Sequence, residues 1–267
     1  MISRLKLGAF AVALAFAPTA ALAHTGGDVH GFMRGAMHPV SGLDHVLAMV
    51  AVGLFAATLG GRALWLVPAA FIAGYLTADF ASGVFHFLAD NYGSTTKPFV
   101  GPVFIRPFRE HHIDPKAITR HDFLEVNGAN CAMSLPFLLV TYFLVPIDAN
   151  IFTLFLGAYV GMFLFGIFLT NQFHSWAHLD RPPRIVRALQ RSGLILGPEH
   201  HQRHHTPPFN TYYCITSGWL NPLLARTRFF ERLYEPLRRV LEPIFGAADE
   251  VGGTTHAADK PGPNPPH

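Results

Sequence analysis

Residues 196–208 read LGPEHHQRHHTPP, a doubled histidine repeated four positions later. On a helix, His200, His201, His204 and His205 would form two adjacent columns of imidazoles on one stripe, a spacing suited to binding metal. Ten of the chain's 16 histidines lie between residues 86 and 205. His86 and Asp90 are four apart in FHFLADNYG, His111 and His112 adjoin in RPFREHHIDP, His121 precedes Asp122, and His174 and His178 are four apart in NQFHSWAHLD. One such pair alone is more often hydrogen-bonded than metal-binding, but separate clusters that can converge favour metal. Imidazole suits zinc, copper, iron and nickel, so the ligand type does not name the ion. Eight or more imidazoles with a carboxylate exceed one tetrahedral site, and two metals are the simpler expectation.

The elements that must position these residues are apolar. Of 267 residues half are hydrophobic and only 14% are charged, against about a quarter charged in soluble domains. Residues 126–147 and 149–173 carry no formal charge over 22 and 25 residues, and each exceeds the ~20 needed to span a bilayer. Residues 46–61 and 63–78, separated by Arg62, predict a helical hairpin whose second helix continues through Asp79 towards His86. An aspartate is expensive in lipid, so Asp79 is expected near an interface or facing protein. The expected fold is an all-α integral membrane protein of about four transmembrane helices, with a histidine-rich two-metal site at one membrane face.

Residues 1–23 carry Arg4 and Lys6, an apolar run and an Ala21-Leu22-Ala23 ending. This is a secretory signal pattern, with His24 as the mature start, or else an uncleaved anchor. Residues 237–267 read as a flexible tail whose Gly/Pro-rich end includes His256 and His267. Cys131 and Cys214 suggest no disulfide framework, and no phosphate loop, nucleophile elbow or nucleic-acid motif is evident.

Two metals at the end of an apolar bundle suit oxidative attack on a lipid chain. An unactivated C–H bond has no acidic proton for a base to remove, so an oxidant must come from dioxygen, and that is work for redox-active iron. Arg106, Arg109 and Arg203, close to the histidines, are candidate contacts for a lipid phosphate.

The stretches ADFASGVFHFLADNYGS, FIRPFREHHIDPKAITRHDFLEVNGAN, FHSWAHLDRPP and GLILGPEHHQRHHTPPFNTYYCITSGWLNPLL resemble the lipid desaturase family, whose branches act on ether phospholipid and on plastid phosphatidylglycerol. The resemblance covers residues 76–234, and the lipid desaturase domain is expected to span residues 76–236. It implies a centre of two iron ions held by His86, Asp90, His111, His112, His174, His178, His200, His201, His204 and His205, with His121 in the same block. The motif RPFREHHIDPKAITRHDF is closer to the ether-lipid branch. The activity implied is that of a plasmanylethanolamine desaturase, which forms the vinyl ether of a plasmalogen from alkyl ether phospholipid and dioxygen. No haem, flavin or ferredoxin motif is visible, so a separate electron donor of cytochrome or ferredoxin type is implied.

The first 75 residues, the signal-like segment included, resemble instead the amino-terminal part of the HupE/UreJ nickel permeases, with residues 24–75 as a membrane hairpin and a motif formed by His38, Asp44 and His45. This part is read as a membrane anchor, with a surviving metal site there as the alternative. Other functional readings are an acyl-lipid desaturase or hydroxylase with the same centre, and a nickel or metal transport or delivery protein. Residues 91–127 carry five Lys/Arg and residues 179–245 ten. The positive-inside rule therefore expects a cytoplasm-facing site, in a bacterial inner membrane.

Overall fold

The computed structural model describes residues 52–54, 56–58, 60–147 and 149–249. The signal-like segment, half of the first hairpin helix, and His38, Asp44 and His45 lie outside the described residues, as do His256 and His267. Among the described residues all regular structure is helical.

Helix α1 spans Ala63–Asn91. It follows the turn at Gly60–Arg62 and runs past Asp79 and His86, as the sequence predicts. A π-helical turn at Gly101–Ile105 leads into α2, Arg106–Ile113, and a 3-10 turn at Ala117–Arg120 precedes α3, Phe123–Leu144. Helix α4 spans Ile151–Ala177. Capping boxes start α3 (Asp122 with Glu125) and α4 (Asn150 with Thr153), satisfying backbone N–H groups that a helix start leaves open. Shorter helices follow: α5 Arg184–Arg191, α6 Pro198–Gln202, α7 Asn221–Arg226 and α8 Phe229–Phe245.

Helices α1, α3 and α4 are each long and apolar enough to cross a membrane. Half of the fourth expected span, residues 46–61, falls outside the described residues. α1 and α4 run parallel at close range, because Gly74 lies against Tyr159 and Met162, and Gly166 against Ala78. A methyl group at either glycine would strike the opposing helix, which is how small residues let membrane helices pack. α3 runs antiparallel to α4: Asn127 Nδ2 donates to Gln172 Oε1 at 2.9 Å and Asn130 Nδ2 to the Ile167 carbonyl at 2.9 Å. The outer face of α3 exposes Phe137, Tyr142, Phe143 and Leu144, an apolar surface suited to lipid.

This topology puts the C-terminal ends of α1 and α4 and the start of α3 at one end of the bundle. Residues 92–122 and 178–249 cover that end. Asp79 faces protein, as one of the two expectations for it required. It is fully buried and accepts backbone hydrogen bonds from Ser217 (2.8 Å), Gly218 (2.8 Å) and Leu220 (3.2 Å). Residues 237–245, expected as part of a flexible tail, are helical. α8 continues to Phe245, because Leu233, Leu237 and Leu241 pack on the buried cluster of Phe87, Tyr92, Tyr213 and Phe230.

Candidate metal centre

Four chain segments deliver histidines to the covered end. The last turns of α1 supply His86 and Asp90, the last turn of α2 supplies His111 and His112, and α4 ends at His174 with His178 as its C-cap. The fourth segment departs from the expected helical stripe. α6 carries His200 and His201 but stops at Gln202, and His204 and His205 sit in the turn before Pro207 and Pro208, which cannot continue a helix.

The side chains converge in two adjoining groups. His111, His174, His178, His201 and His205 place one ligand atom each within 4.8 Å of one another, and so do His86, His111, His112 and His204. His111 is common to both. An imidazole nitrogen has one lone pair, so His111 completes one set or the other.

The nitrogen geometry distinguishes a ligand cage from a hydrogen-bond network. His201 Nε2 lies 2.9 Å from His174 Nε2, 3.0 Å from His178 Nε2 and 3.0 Å from His205 Nε2. One neutral ring nitrogen either donates once or accepts once, so these three contacts cannot all be hydrogen bonds. Converging lone pairs repel unless a cation lies among them. Two nitrogens each about 2.1 Å from one ion at a right angle are about 3.0 Å apart, which matches the spacing found.

In the second group Asp90 Oδ2 lies 3.2 Å from His112 Nε2 and 3.4 Å from both His86 Nε2 and His204 Nε2. Backbone carbonyls fix the rings: His86 Nδ1 bonds to the Tyr213 carbonyl at 3.1 Å and His204 Nδ1 to that of Thr211 at 2.8 Å, while His111 Nδ1 bonds to that of Phe108. A proton held on Nδ1 leaves the Nε2 lone pair directed into the site, as a metal-binding imidazole requires. His86 Nε2 and His111 Nε2 are buried with no hydrogen-bond partner. Buried polar atoms of this kind are costly unless something fills the role of partner. The donor set therefore fits divalent metal.

The protonation states agree. Burial, reinforced by neighbouring imidazoles, holds His111 and His201 well below the ordinary histidine range, takes His178 down to about 4 and His205 to about 2. These rings are neutral near pH 7, the form that binds metal.

Several predicted residues stand elsewhere. His200 turns away from both groups; its Nε2 lies 3.2 Å from Asn221 Nδ2 and its ring meets Tyr212. His121 is exposed and pairs with Glu125. Arg109 is fully buried: Nε donates to the Ala89 carbonyl at 3.1 Å, Nη2 to those of Tyr92 and Gly93 at 2.9 Å each, and Nη1 pairs with Asp249. It caps the end of α1 and ties α2 to it, so it is not placed to meet a lipid phosphate. Arg106 and Arg203 are exposed, with Glu110 and the Tyr212 hydroxyl as partners.

Sequence reasoning missed the carbonyls of Phe108, Thr211 and Tyr213, since any residue type carries one. It also missed the contact of Asp79 with the 217–220 loop, although an aspartate within an apolar span was the available signal. On the side away from the spans, a cleft of about 460 Å³ lined by Asp114, Lys116, Asp180 and Gln202 reaches His178 and His201.

Residues 75–247 match the lipid desaturase domain, nearly two thirds of the chain. The chain belongs to the lipid desaturase family. Among its relatives, the plasmanylethanolamine desaturase of Myxococcus xanthus is 51% identical over 166 residues, 62% of this chain and 58% of the relative. Plasmanylethanolamine desaturase 1 of Mus musculus is 46% identical over 181 residues, 63% of this chain and 64% of the relative. The chain thus spans less than two thirds of either. Residues 12–86 match HupE/UreJ proteins, overlapping the start of the lipid desaturase domain by a few turns of α1. Over 55 residues the chain is 58% identical to protein HupE of Rhizobium leguminosarum bv. viciae, 21% of this chain and 29% of the relative. No solved structure matches the chain.

Proposed function

We propose that this protein is a plasmanylethanolamine desaturase, an oxygen-dependent membrane enzyme that forms the vinyl ether of a plasmalogen. The observation that carries the reading is the convergence of eight histidines and Asp90 at one end of a membrane bundle, in a chain 51% identical to a relative of that name. His174, His178, His201 and His205 hold one iron ion, and His86, Asp90, His112 and His204 hold the other, with His111 completing one of them. Bound iron supplies the capacity to activate dioxygen towards an unactivated C–H bond. The balance is that the alkyl CH2–CH2 unit next to the ether oxygen loses two hydrogens and becomes CH=CH. Dioxygen takes these with two further electrons and two protons, giving two waters. The electrons come from a separate donor of cytochrome or ferredoxin type.

The chain's own residues orient and enclose. Asp79 and Asn221 fix the loop whose Tyr213 carbonyl orients His86. Arg109 holds α2 and its two histidines against α1. Arg106 and Arg203 are the exposed cations available to a phosphate headgroup. The segments at the site end carry all 15 Lys and Arg residues of the lipid desaturase domain, which supports a cytoplasmic location in a bacterial inner membrane. Residues 24–75 serve as a membrane anchor, ahead of the lipid desaturase domain.

Expression in a host supplied with alkyl ether phospholipid, followed by lipid mass spectrometry, tests the reading. Acid-labile vinyl ethers formed only with oxygen are expected. A desaturated or hydroxylated acyl chain would replace the substrate assignment, and metal uptake without a lipid product would overturn the enzyme reading.

A further inference from the structure

A narrow slot opens on the lipid-facing side of the bundle between α1, the π-helical turn, α3 and α4. Its volume is about 50 Å³, and no ionisable side chain lines it. The polar groups on its wall have partners within the fold: Ser82 Oγ donates to the Asp79 carbonyl and accepts from the Ile215 N–H, Asn130 donates to the Ile167 carbonyl, and Thr170 bonds Thr216. Asn171 donates to the Val126 carbonyl, and the remaining wall is apolar. At the mouth, Phe85, Val103 and Met133 are 43%, 59% and 40% exposed, and Phe85 and Met133 stand on α1 and α3, two of the helices apolar enough to cross a membrane.

The slot points at the ligand cage. Ring centroids step from Phe85 to Phe104 (5.9 Å), from Phe104 to Phe108 (6.4 Å) and from Phe108 to His86 (5.0 Å). The carbonyl of Phe108 also bonds His111. Phe104 is carried by the π-helical turn Gly101–Ile105, a wide turn found often at functional sites. The aqueous cleft approaches the histidines from elsewhere, at His178 and His201.

We propose that this slot binds the hydrocarbon chain of the substrate lipid, and that Phe104 and Met133 are its gate. The proposal rests on the desaturase reading and adds where the chain lies. A charged headgroup is excluded by the uncharged lining, whereas methylenes match it and lose nothing on leaving the bilayer. The volume takes a short run of methylenes next to the reacting carbons and leaves the rest of the chain among the lipids. The slot is therefore specific for the chain's width near those carbons.

The test uses the full-length protein in membranes with an alkyl ether phospholipid that bears a diazirine close to the ether. On illumination, labelling is expected within residues 99–108 and 126–136. Phe104→Trp and Met133→Trp should each lower that labelling and vinyl ether formation at least tenfold with bound iron unchanged. Unaltered product and labelling in both variants would overturn the proposal, as would wild-type label confined to other surfaces while product still forms. Slot labelling that the tryptophans block, without any lipid product from the wild type, would retain the chain site and sink the desaturase reading. Should both variants lose iron through misfolding, the wild-type labelling map decides alone.

Discussion

His86, Asp90, His112 and His204 have fully buried side chains and include the one carboxylate, and two of them, His86 and His204, are oriented by backbone carbonyls. In the group of His174, His178, His201 and His205, by contrast, every candidate ligand is an imidazole, and His178 and His205 are partly exposed. The first group adjoins the lipid-side slot through Phe108, and the second adjoins the aqueous cleft. One centre is thus built with a dry, negatively charged half and a neutral half next to water. The difference teaches that ligands of the same residue type need not respond alike to substitution or acid.

The largest effects should come from removing a ligand. His204→Ala and His178→Ala should each abolish vinyl ether formation and lower bound iron, with the protein still in the membrane. His204→Ala should also lower thermal stability more, because it leaves a buried void and an unpaired Thr211 carbonyl. Equal stability of the two variants would remove the contrast between the halves.

Next in size is the loop anchor. Asp79→Asn weakens three backbone hydrogen bonds to one carboxylate, and a loss of about 1.5–3 kcal/mol in stability is expected, measured by unfolding in detergent. Activity should fall with it, because the same loop carries the Tyr213 carbonyl that orients His86.

Acid should discriminate between the halves. The folded-state values of His178 and His205, about 4 and about 2, lie below the ordinary imidazole value. The unfolded chain therefore binds more protons over that interval, and stability falls as pH drops below about 6.5. Protons also compete with metal for the same nitrogens. Iron release on going from pH 7 to pH 5 is expected first from the four-histidine group, where water has access. Simultaneous loss of both ions would argue against the asymmetry.

The smallest effects belong to histidines outside the cage. His121→Ala and His200→Ala should retain bound iron and most activity, and His256→Ala and His267→Ala should be silent in the same assay.

Much of this was legible from residue type. The uncharged runs located α3 and α4 to within a few residues, and the clusters contain the eight histidines and Asp90 that the structure brings together. What the sequence obscured were directions. The HHxxHH spacing suggests one continuous stripe, yet the helix stops at Gln202, so His200 and His204 face different neighbours. The two prolines that follow were the local signal for that stop. Arg109 read as a candidate phosphate contact because nothing in the sequence says that the end of α1 needs a cap there. The split into two groups could not be read at all, since it depends on how α1, α2 and α4 converge in space.

Metal analysis of the purified full-length protein tests the central claim most directly. Two iron ions per chain are expected for the wild type, and a single ion should remain when either Asp90→Asn or His178→Ala disables one half. One ion per wild-type chain, or loss of both on removing either residue, would contradict two adjoining sites built from separate ligands.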